Sequence, residues 1–154
     1  MGGLTSRKKQ QIVLAVGLPG SGKSTYFRER GIQALSSDTL RGWLLGDETD
    51  QSQQHRVFSA LRYLLELRLR LGQKYSYVDA TNLTRKDRRP YFQLAKRYGC
   101  DLRAIFFDIS LVTCMRRNRR RQRRVPDEVI ERMARQLAPP TRAEGFQKIA
   151  LVRK

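Results

Sequence analysis

A glycine-rich segment near the start of the chain has the residue types and the spacing of a phosphate-binding loop. Residues 17–24 read Gly-Leu-Pro-Gly-Ser-Gly-Lys-Ser, which matches G-x-x-x-x-G-K-[ST] at every fixed position. The glycines let backbone N–H groups converge on phosphate oxygens, while the lysine can contact the β- and γ-phosphates and the hydroxyl can bind Mg²⁺. The candidate nucleotide-binding residues are Gly17, Pro19, Gly20, Ser21, Gly22, Lys23, Ser24 and Thr25, with Ser24 as the metal ligand. Because no guanine-specifying motif is evident, ATP is the expected nucleotide.

An acidic and a basic residue three positions apart follow this loop. Asp38 lies at the end of the second expected strand, and ligands collect at the carboxyl ends of strands in open α/β sheets. A carboxylate there can accept a proton from an attacking hydroxyl. Arg41 comes one helical turn later and can bind an anion on the same acceptor. The alternative is that Asp38 only caps the helix.

The chain carries a formal net charge of +18 and has a pI of about 11.0, which indicates a polyanionic partner, with nucleic acid the first candidate. A basic surface without a specific ligand is the alternative. Residues 116–124 contain seven arginines in nine positions, and they lie between two expected helices. This placement favours a mobile, arginine-bearing lid over a solvated tail.

Alternating strands and helices must position these residues. The apolar run at residues 11–16 leads into the phosphate loop and is typical of a parallel strand that is covered by helices on both faces. Further strands are expected at residues 32–36, 75–79, 102–107 and 146–152. Helices are expected at residues 24–30, 52–71 and 84–98, and after Ser110 and Pro126. The pattern predicts one α/β domain at residues 11–154, with a mostly parallel central sheet, after a basic tail at residues 1–10.

Four segments together resemble a known family. They are residues 17–25, residues 36–41 with the Asp-x-x-Arg pair, residues 78–83 (Val-Asp-Ala-Thr-Asn-Leu) and residues 117–126 with the arginines before Val-Pro. Over nearly the whole chain, the sequence resembles the 5′-hydroxyl polynucleotide kinases of phage and bacterial end healing, within the zeta-toxin-like P-loop kinases. The loop is shared by many NTPases, so the Asp-x-x-Arg pair and the arginine segment are the more specific parts.

The resemblance implies a P-loop kinase that transfers the γ-phosphate of ATP to 5′-OH ends of DNA or RNA in nucleic-acid repair. Lys23 would stabilise charge in the transition state, Asp38 would be the general base, and Arg41 would hold the 3′-side phosphate of the terminal nucleotide. A phosphatase and a ligase would be separate polypeptides. The resemblance gives residues 79–82 a mainly architectural role, although Asp79 ends its strand as a metal-binding aspartate would.

The resemblance also implies that two lid arginines, four residues apart, contact the donor phosphates. Arg117 and Arg121 fit that spacing best, whereas counting back from Val125 selects Arg116 and Arg120 instead. Arg124 is a further candidate.

Three other functions stay open from the sequence: a kinase for a small acceptor, a nucleic-acid-dependent NTPase, and a non-catalytic binding module. The chain has only two cysteines, no secretory leader pattern and no apolar run of membrane-spanning length, so we expect a cytoplasmic protein with no membrane partner. Trp43 is expected in the core rather than against a nucleobase. The basic residues at 85–89 are expected to be exposed, either as a solvated face or as part of a nucleic-acid groove.

Overall fold

Strands and helices alternate along the chain in a computed structural model that describes residues 9–122 and 125–153. The strands are β1 (Gln11–Val16), β2 (Leu35–Ser36), β3 (Tyr75–Asp79), β4 (Asp101–Phe107) and β5 (Lys148–Val152). The α-helices are α1 (Lys23–Glu29), α2 (Ser37–Leu45), α3 (Gln54–Arg70), α4 (Arg85–Tyr98), α5 (Leu111–Arg119) and α6 (Asp127–Gln136), and a 3₁₀ turn covers Arg142–Glu144. The predicted α/β class is confirmed.

The five strands form one parallel sheet in the order β2-β3-β1-β4-β5. β1 is central, because it pairs with β3 on one side and with β4 on the other. The strand order therefore reverses at β1, and the crevice at the carboxyl end of such a reversal is where ligands bind in open α/β sheets. The phosphate loop begins at this point.

Helices cover both faces of the sheet, which explains the continuous apolar sequence of β1. Ile12, Leu14 and Val16 point to one face, where they join a core cluster with leucines of α3 and α4. Val13 and Ala15 point to the other face and pack in a cluster that includes side chains of α1, α5 and α6. Residues 12–16 of β1 are thus buried on one face or the other, and the loop that follows starts from a packed strand.

The amphipathic helix predicted at residues 52–71 is α3, which has 17 residues. Val57, Leu61, Leu65 and Leu69 form its buried stripe. Arg56, Arg62, Arg68 and Arg70 lie at other positions of this helix. No helix within the described ranges, α3 included, is long and apolar enough to cross a membrane.

The second predicted strand is shorter than expected. Only Leu35 and Ser36 pair with β3, whereas residues 32–34 form a loop. The Ile32 N–H donates to the Phe27 carbonyl at 2.9 Å and so closes α1 after Gly31. Because this donor is used in ending the helix, the chain reaches the sheet edge only at Leu35.

Candidate active site

The phosphate loop connects the end of β1 to the first residue of α1. Gly20 and Gly22 have φ angles of 81° and 96°, in the left-handed region that favours glycine, and Gly22 is the N-cap of α1. Ser21 is buried and donates its N–H to the Leu18 carbonyl at 3.1 Å. Pro19 is half-buried within the loop, and Thr25 is exposed on α1. This geometry fits an anion seated at the start of a helix, where the first backbone N–H groups have no intrahelical acceptor.

The backbone of α5 packs directly on the loop at Gly20. A Cβ added to Gly20 would lie 2.4 Å from the carbonyl oxygen of Cys114, which is fully buried in α5. No side chain fits in that space, so glycine is required by the close approach as well as by its φ angle. The contact ties the position of α5 to that of the phosphate loop.

Lys23 is folded back onto the loop and is buried. Its ammonium donates to the carbonyls of Gly17 at 3.0 Å and of Leu18 at 2.8 Å. Burial lowers the pKa of Lys23 from 10.5 to about 8, and the nearby carboxylates of Asp79 and Asp38 oppose this shift. A phosphate oxygen close to the ammonium would favour its charged form, so the lysine is ready to respond to an anionic ligand.

Ser24 and Asp79 form the oxygen pair best suited to hold a divalent cation. The Ser24 hydroxyl donates to the Asp79 carboxylate at 2.6 Å. Burial raises the pKa of Asp79, while the Ser24 hydrogen bond and the Lys23 charge oppose that shift. Hard oxygen donors of this kind fit Mg²⁺, which typically takes one or two protein ligands and completes its shell with phosphates and waters.

Asp79 thus lies inside the candidate site, next to Ser24 and Lys23. The family resemblance had instead implied a mainly architectural role for residues 79–82. Within the described residues no group of three or more His, Cys, Asp or Glu side chains is arranged to hold a metal. The Ser24–Asp79 pair is the candidate metal position, because it places two oxygen donors beside the phosphate loop. The signal in the sequence was an acidic residue at the end of a strand, but its importance depends on β3 pairing next to β1.

Asp38 and Arg41 form an ion pair on α2, with 2.7 Å between Asp38 Oδ1 and Arg41 Nη1. The Asp38 side chain is 63% exposed, whereas that of Arg41 is only 4% exposed. Ser36 caps the helix by accepting the Thr39 N–H at 3.2 Å, so Asp38 is not needed as the cap. The Asp38 carboxylate lies close enough to Lys23 and Asp79 to raise the pKa of both side chains. It lies at the same edge of the sheet as these two residues.

Most donors of the Arg41 guanidinium are already used. Nη1 donates to Asp38 and to the Glu48 carbonyl at 3.3 Å, and Nη2 donates to Gln54 Oε1. The buried Nε has no hydrogen-bond partner among the described residues. A guanidinium has five N–H donors, so Nε and the second hydrogen of Nη2 remain for another acceptor.

The arginine segment approaches the loop from α5. Cys114, Arg117 and Asn118 share one face of this helix, and Arg117 Nη1 lies 3.5 Å from the position of a Cβ on Gly22. Arg121 comes one turn later, and its charge acts on both Lys23 and Asp79. Arg116, Arg120 and Arg121 are exposed, whereas Arg117 is half-buried. The contact with the loop favours Arg117, the effect on the pKa of Lys23 and Asp79 favours Arg121, and Arg124 lies outside the described residues.

Asn118 closes the arginine segment into a loop. Its side chain is buried, donates to the Val125 carbonyl at 2.6 Å and accepts the Val125 N–H at 3.1 Å. Arg119 also donates to Asp127 at 2.9 Å, at the start of α6. The end of α5 and the start of α6 are thus held together by hydrogen bonds beside the phosphate loop.

The residues after β3 support the loop from below. Asn82, in a left-handed conformation with φ 46°, donates to the Ala15 carbonyl at 2.8 Å, and the Gly17 N–H donates to the Thr81 carbonyl at 3.0 Å. Arg88 binds the Asn82 carbonyl at 2.9 Å and forms a buried two-bond pair with Glu144. The prediction that Arg88 is exposed was wrong, because this side chain is fully buried and architectural.

Trp43 is 76% exposed, so the prediction of a core tryptophan was wrong. α2 buries the face that carries Ser37, Leu40 and Arg41, and Trp43 lies away from it. The inward face of α2 thus carries the salt-bridged Arg41 and not the aromatic ring of Trp43.

An open groove of about 380 Å³ runs along the loop-proximal side of α1. Its walls come from α1, from the segment after α1 and from the end of β3: Ser24, Phe27, Arg28, Gly31, Ile32, Gln33, Ala34 and Asp79. Because Ser24 and Asp79 form one end of it, a molecule in this groove reaches the candidate metal position.

Residues 12–140 match the family described as AAA domain, so the match covers most of the chain and the chain belongs to that family. The chain is 39% identical to L-seryl-tRNA(Sec) kinase of Mus musculus over 49 residues. This stretch covers 32% of this chain and 14% of the mouse protein.

The fold is shared with solved kinases. A chain of the Pnkp1/Rnl/Hen1 RNA repair complex superposes with a TM-score of 0.73 at 22% identity, over 87% of this chain and 46% of the other. A gluconokinase from Sinorhizobium meliloti 1021 superposes with a TM-score of 0.62 at 19% identity, over 96% of this chain and 84% of the other. The chain spans less than half of the RNA repair chain and a smaller part of the mouse protein. At these identities the structural likeness shows the P-loop kinase fold.

Proposed function

We propose that this member of the AAA domain family is an ATP-dependent kinase that transfers the γ-phosphate to 5′-OH ends of DNA or RNA. The Asp38–Arg41 pair carries the proposal. An exposed carboxylate is held by a buried guanidinium, at the same edge of the sheet as Lys23 and the Ser24–Asp79 pair. This arrangement suits an acceptor that brings both a hydroxyl and a neighbouring phosphate.

On the donor side, the phosphates of ATP bind the backbone N–H groups of the loop and the Lys23 ammonium. Ser24 and Asp79 would hold Mg²⁺, which when bound would supply positive charge to offset that of the phosphates. Arg117 and Arg121 approach from α5 and stabilise the charge that develops on the transferred group. The bonds between Asn118 and Val125 hold the end of α5, and with it Arg117, beside the loop.

On the acceptor side, the 5′ oxygen attacks the γ-phosphorus while the Asp38 carboxylate accepts its proton. A bond forms between this oxygen and the γ-phosphorus, the bond to the bridging oxygen breaks, and ADP leaves. Arg41 orients Asp38 and offers its two remaining N–H donors to the 3′-side phosphate of the terminal nucleotide. A nucleoside without that phosphate is therefore a poor acceptor.

Charge and similarity support nucleic acid as the acceptor. The net charge of +18 is far beyond what a small acceptor needs. The likeness to a chain of an RNA repair complex and the local identity with L-seryl-tRNA(Sec) kinase support the same class of acceptor. In end repair, a phosphatase and a ligase on separate polypeptides would act with this enzyme, and the reaction would take place in the cytoplasm.

A kinase for a small polyhydroxy acceptor is the second candidate. The groove of about 380 Å³ next to Ser24 and Asp79 is large enough for such a molecule, and the gluconokinase shares the fold. This enzyme would use Asp38 in the same way but would have no use for the free donors of Arg41. A nucleic-acid-dependent NTPase is the third candidate, in which Asp38 orients water instead of a hydroxyl.

A panel of acceptors tests the proposal. The full chain is incubated with γ-labelled ATP, Mg²⁺ and one acceptor: 5′-OH RNA, 5′-OH DNA, a nucleoside 3′-monophosphate, a nucleoside, or gluconate. We expect label on both oligonucleotides and on the 3′-monophosphate, and little on the nucleoside. Label on gluconate alone supports the second candidate, and ATP consumption without a labelled acceptor supports the third.

A further inference from the structure

Within the described residues, one face of the sheet is partly uncovered near the amino-terminal ends of the strands, where Tyr75 is 39% exposed. α1 has only seven residues, and its Tyr26 and Phe27 pack on Phe107 and Tyr77. The strand residues that precede Tyr77 and Phe107 on the same face of the sheet are less buried. Val13 pairs in register with Tyr77 and Arg103, and Gln11 pairs with Tyr75. Side chains two residues apart on a strand share a face, so Tyr75, Tyr77 and Arg103 lie together.

Aromatic rings and cations alternate on this surface, which we call the tyrosine face and define as Tyr26, Arg30, Lys74, Tyr75, Tyr77 and Arg103. The rings of Tyr75 and Tyr77 are stacked with centroids 6.3 Å apart, and the Lys74 ammonium lies 5.2 Å from the Tyr75 ring. The Arg30 guanidinium lies 3.5 Å from the centre of the Tyr26 ring. Lys74 and Arg30 are exposed, and Tyr75 is 39% exposed. A ligand with flat rings and negative charge matches this pattern.

Two polar atoms at this face are without partners. Arg103 Nε and Gln11 Oε1 are buried, and neither has a hydrogen-bond partner among the described residues. Arg103 also lies close enough to the Tyr77 hydroxyl to lower its pKa, against the larger effect of burial, which raises it. An unpaired donor and an unpaired acceptor beside stacked tyrosines suit a ligand with polar edges, such as a nucleobase.

The tyrosine face is continuous with the active site. The Phe27 ring contacts the Tyr77 ring at 5.7 Å between centroids, and Phe27 also lines the groove that ends at Ser24 and Asp79. Tyr75, Tyr77 and Asp79 project from the same face of β3. Along the strand, Tyr75 is about 13 Å from Asp79, at about 3.3 Å per residue.

We propose that the tyrosine face binds the single-stranded nucleic acid that leads to the 5′-OH end, with bases stacked on Tyr75 and Tyr77. Lys74, Arg30 and Arg103 face the phosphates of this strand. This inference rests on the proposed function for the link to phosphate transfer, whereas binding itself does not depend on it. A merely polyanionic ligand, such as an acidic protein segment, would have no use for the exposed ring of Tyr75.

The test compares a double variant with a matched control. Lys74→Ala/Tyr75→Ala removes one cation and one ring from the tyrosine face. Tyr63→Ala/Lys96→Ala removes the same residue types from exposed positions on α3 and α4. Tyr75→Phe keeps the ring. A thermal unfolding measurement on each variant checks that it is folded.

The first readout is the affinity for a fluorescent single strand of about 12 nucleotides, a length within the site sizes of single-strand binders. The second is the ratio of kcat/KM for that oligonucleotide to kcat/KM for a nucleoside 3′-monophosphate. We expect both to fall about tenfold in Lys74→Ala/Tyr75→Ala, which corresponds to the loss of one stacked base. Tyr75→Phe and the control variant should stay within about twofold of the wild type.

The outcomes separate the two proposals. If Lys74→Ala/Tyr75→Ala leaves the oligonucleotide affinity and the ratio of kcat/KM values unchanged, the proposal that the tyrosine face binds nucleic acid is wrong. This holds even if the wild type phosphorylates oligonucleotides. Weakened oligonucleotide binding in a protein that transfers no phosphate to nucleic acid supports the tyrosine face and overturns the kinase proposal. Single Tyr75→Ala should leave heparin binding unchanged, because it keeps the charge. An equal loss of heparin and oligonucleotide binding in that variant contradicts base stacking.

Discussion

The Ser24 hydroxyl donates a hydrogen bond of 2.6 Å to the Asp79 carboxylate and joins the phosphate loop to the end of β3. Ser24 belongs to the recognised loop motif, whereas Asp79 is 55 residues away in the sequence. Their contact creates the oxygen pair on which the proposed Mg²⁺ site depends.

Asp79→Asn should weaken the dependence on Mg²⁺ without unfolding the protein. The amide keeps the shape but removes the charge, so we expect a 10- to 100-fold rise in the Mg²⁺ concentration that gives half-maximal activity, roughly as for other metal-supporting residues. Titration of Mg²⁺ at saturating ATP measures the effect. Asp108→Asn is the control, since the Asp108 carboxylate forms an exposed ion pair with Arg153. Equal Mg²⁺ dependence of both variants would rule out a metal role for Asp79.

Gly20→Ala should disturb both stability and nucleotide binding. The added methyl would lie 2.4 Å from the Cys114 carbonyl, and φ is 81°, so we expect a loss of about 2–4 kcal/mol in the free energy of unfolding. Gly31→Ala is the matched control, because its φ is 65° but no atom lies within 4 Å of the added methyl. Its loss should be about 1–2 kcal/mol, from backbone strain alone. Denaturant unfolding and ATP titration measure the two effects.

ATP binding should take up a proton above pH 8. In the free protein the pKa of Lys23 is about 8, and bound phosphates would raise it towards the ordinary value of 10.5. Between these values the bound protein holds a proton that the free protein lacks, so affinity falls as the pH rises through this window. Calorimetry near pH 8.5 in buffers of different ionisation enthalpy measures the uptake. Lys23→Met should abolish it, and equal uptake by this variant would refute the assignment.

The two possible pairs of lid arginines should differ sharply. Arg117→Ala or Arg121→Ala should lower kcat by about 100-fold or more, in line with arginines that stabilise phosphoryl transfer. Arg116→Ala and Arg120→Ala remove the same charge from exposed positions and should lower kcat by less than about threefold. Steady-state rates at saturating ATP decide between them. The reverse ranking would favour Arg116 and Arg120 and contradict the role of the loop-facing side of α5.

Features that depend on neighbouring residues in the sequence were predictable. The phosphate loop, the capping box of Thr84 and Asp87, and the helix end at Gly99 all follow from local backbone requirements. The central position of β1 also followed, because an uninterrupted apolar strand must be covered on both faces. These elements fixed the fold class and the place of the loop.

Features that depend on distant partners were not predictable. Arg88 is buried because Glu144, 56 residues away, and the carbonyls of Asn82 and Leu83 satisfy its guanidinium. Trp43 is exposed because a salt-bridged Arg41 takes the inward face of α2. Glu144 has no signal in the local sequence, and Arg41 is held in its inward position by Gln54, 13 residues away. The tyrosine face is invisible for the same reason, since the register of β1, β3 and β4 assembles it.

The most direct test of the central claim is phosphate transfer to a 5′-OH oligonucleotide by the wild type and by Asp38→Asn. Asn keeps the shape and a hydrogen-bond acceptor for Arg41 but cannot accept the proton, and Asp108→Asn is the control. The account predicts that the wild type and the control label the oligonucleotide and that Asp38→Asn is slower by about 10²- to 10⁴-fold. ATP affinity should be the same in all three. Transfer by Asp38→Asn at the wild-type rate, or no transfer to nucleic acid by the wild type, would contradict the account.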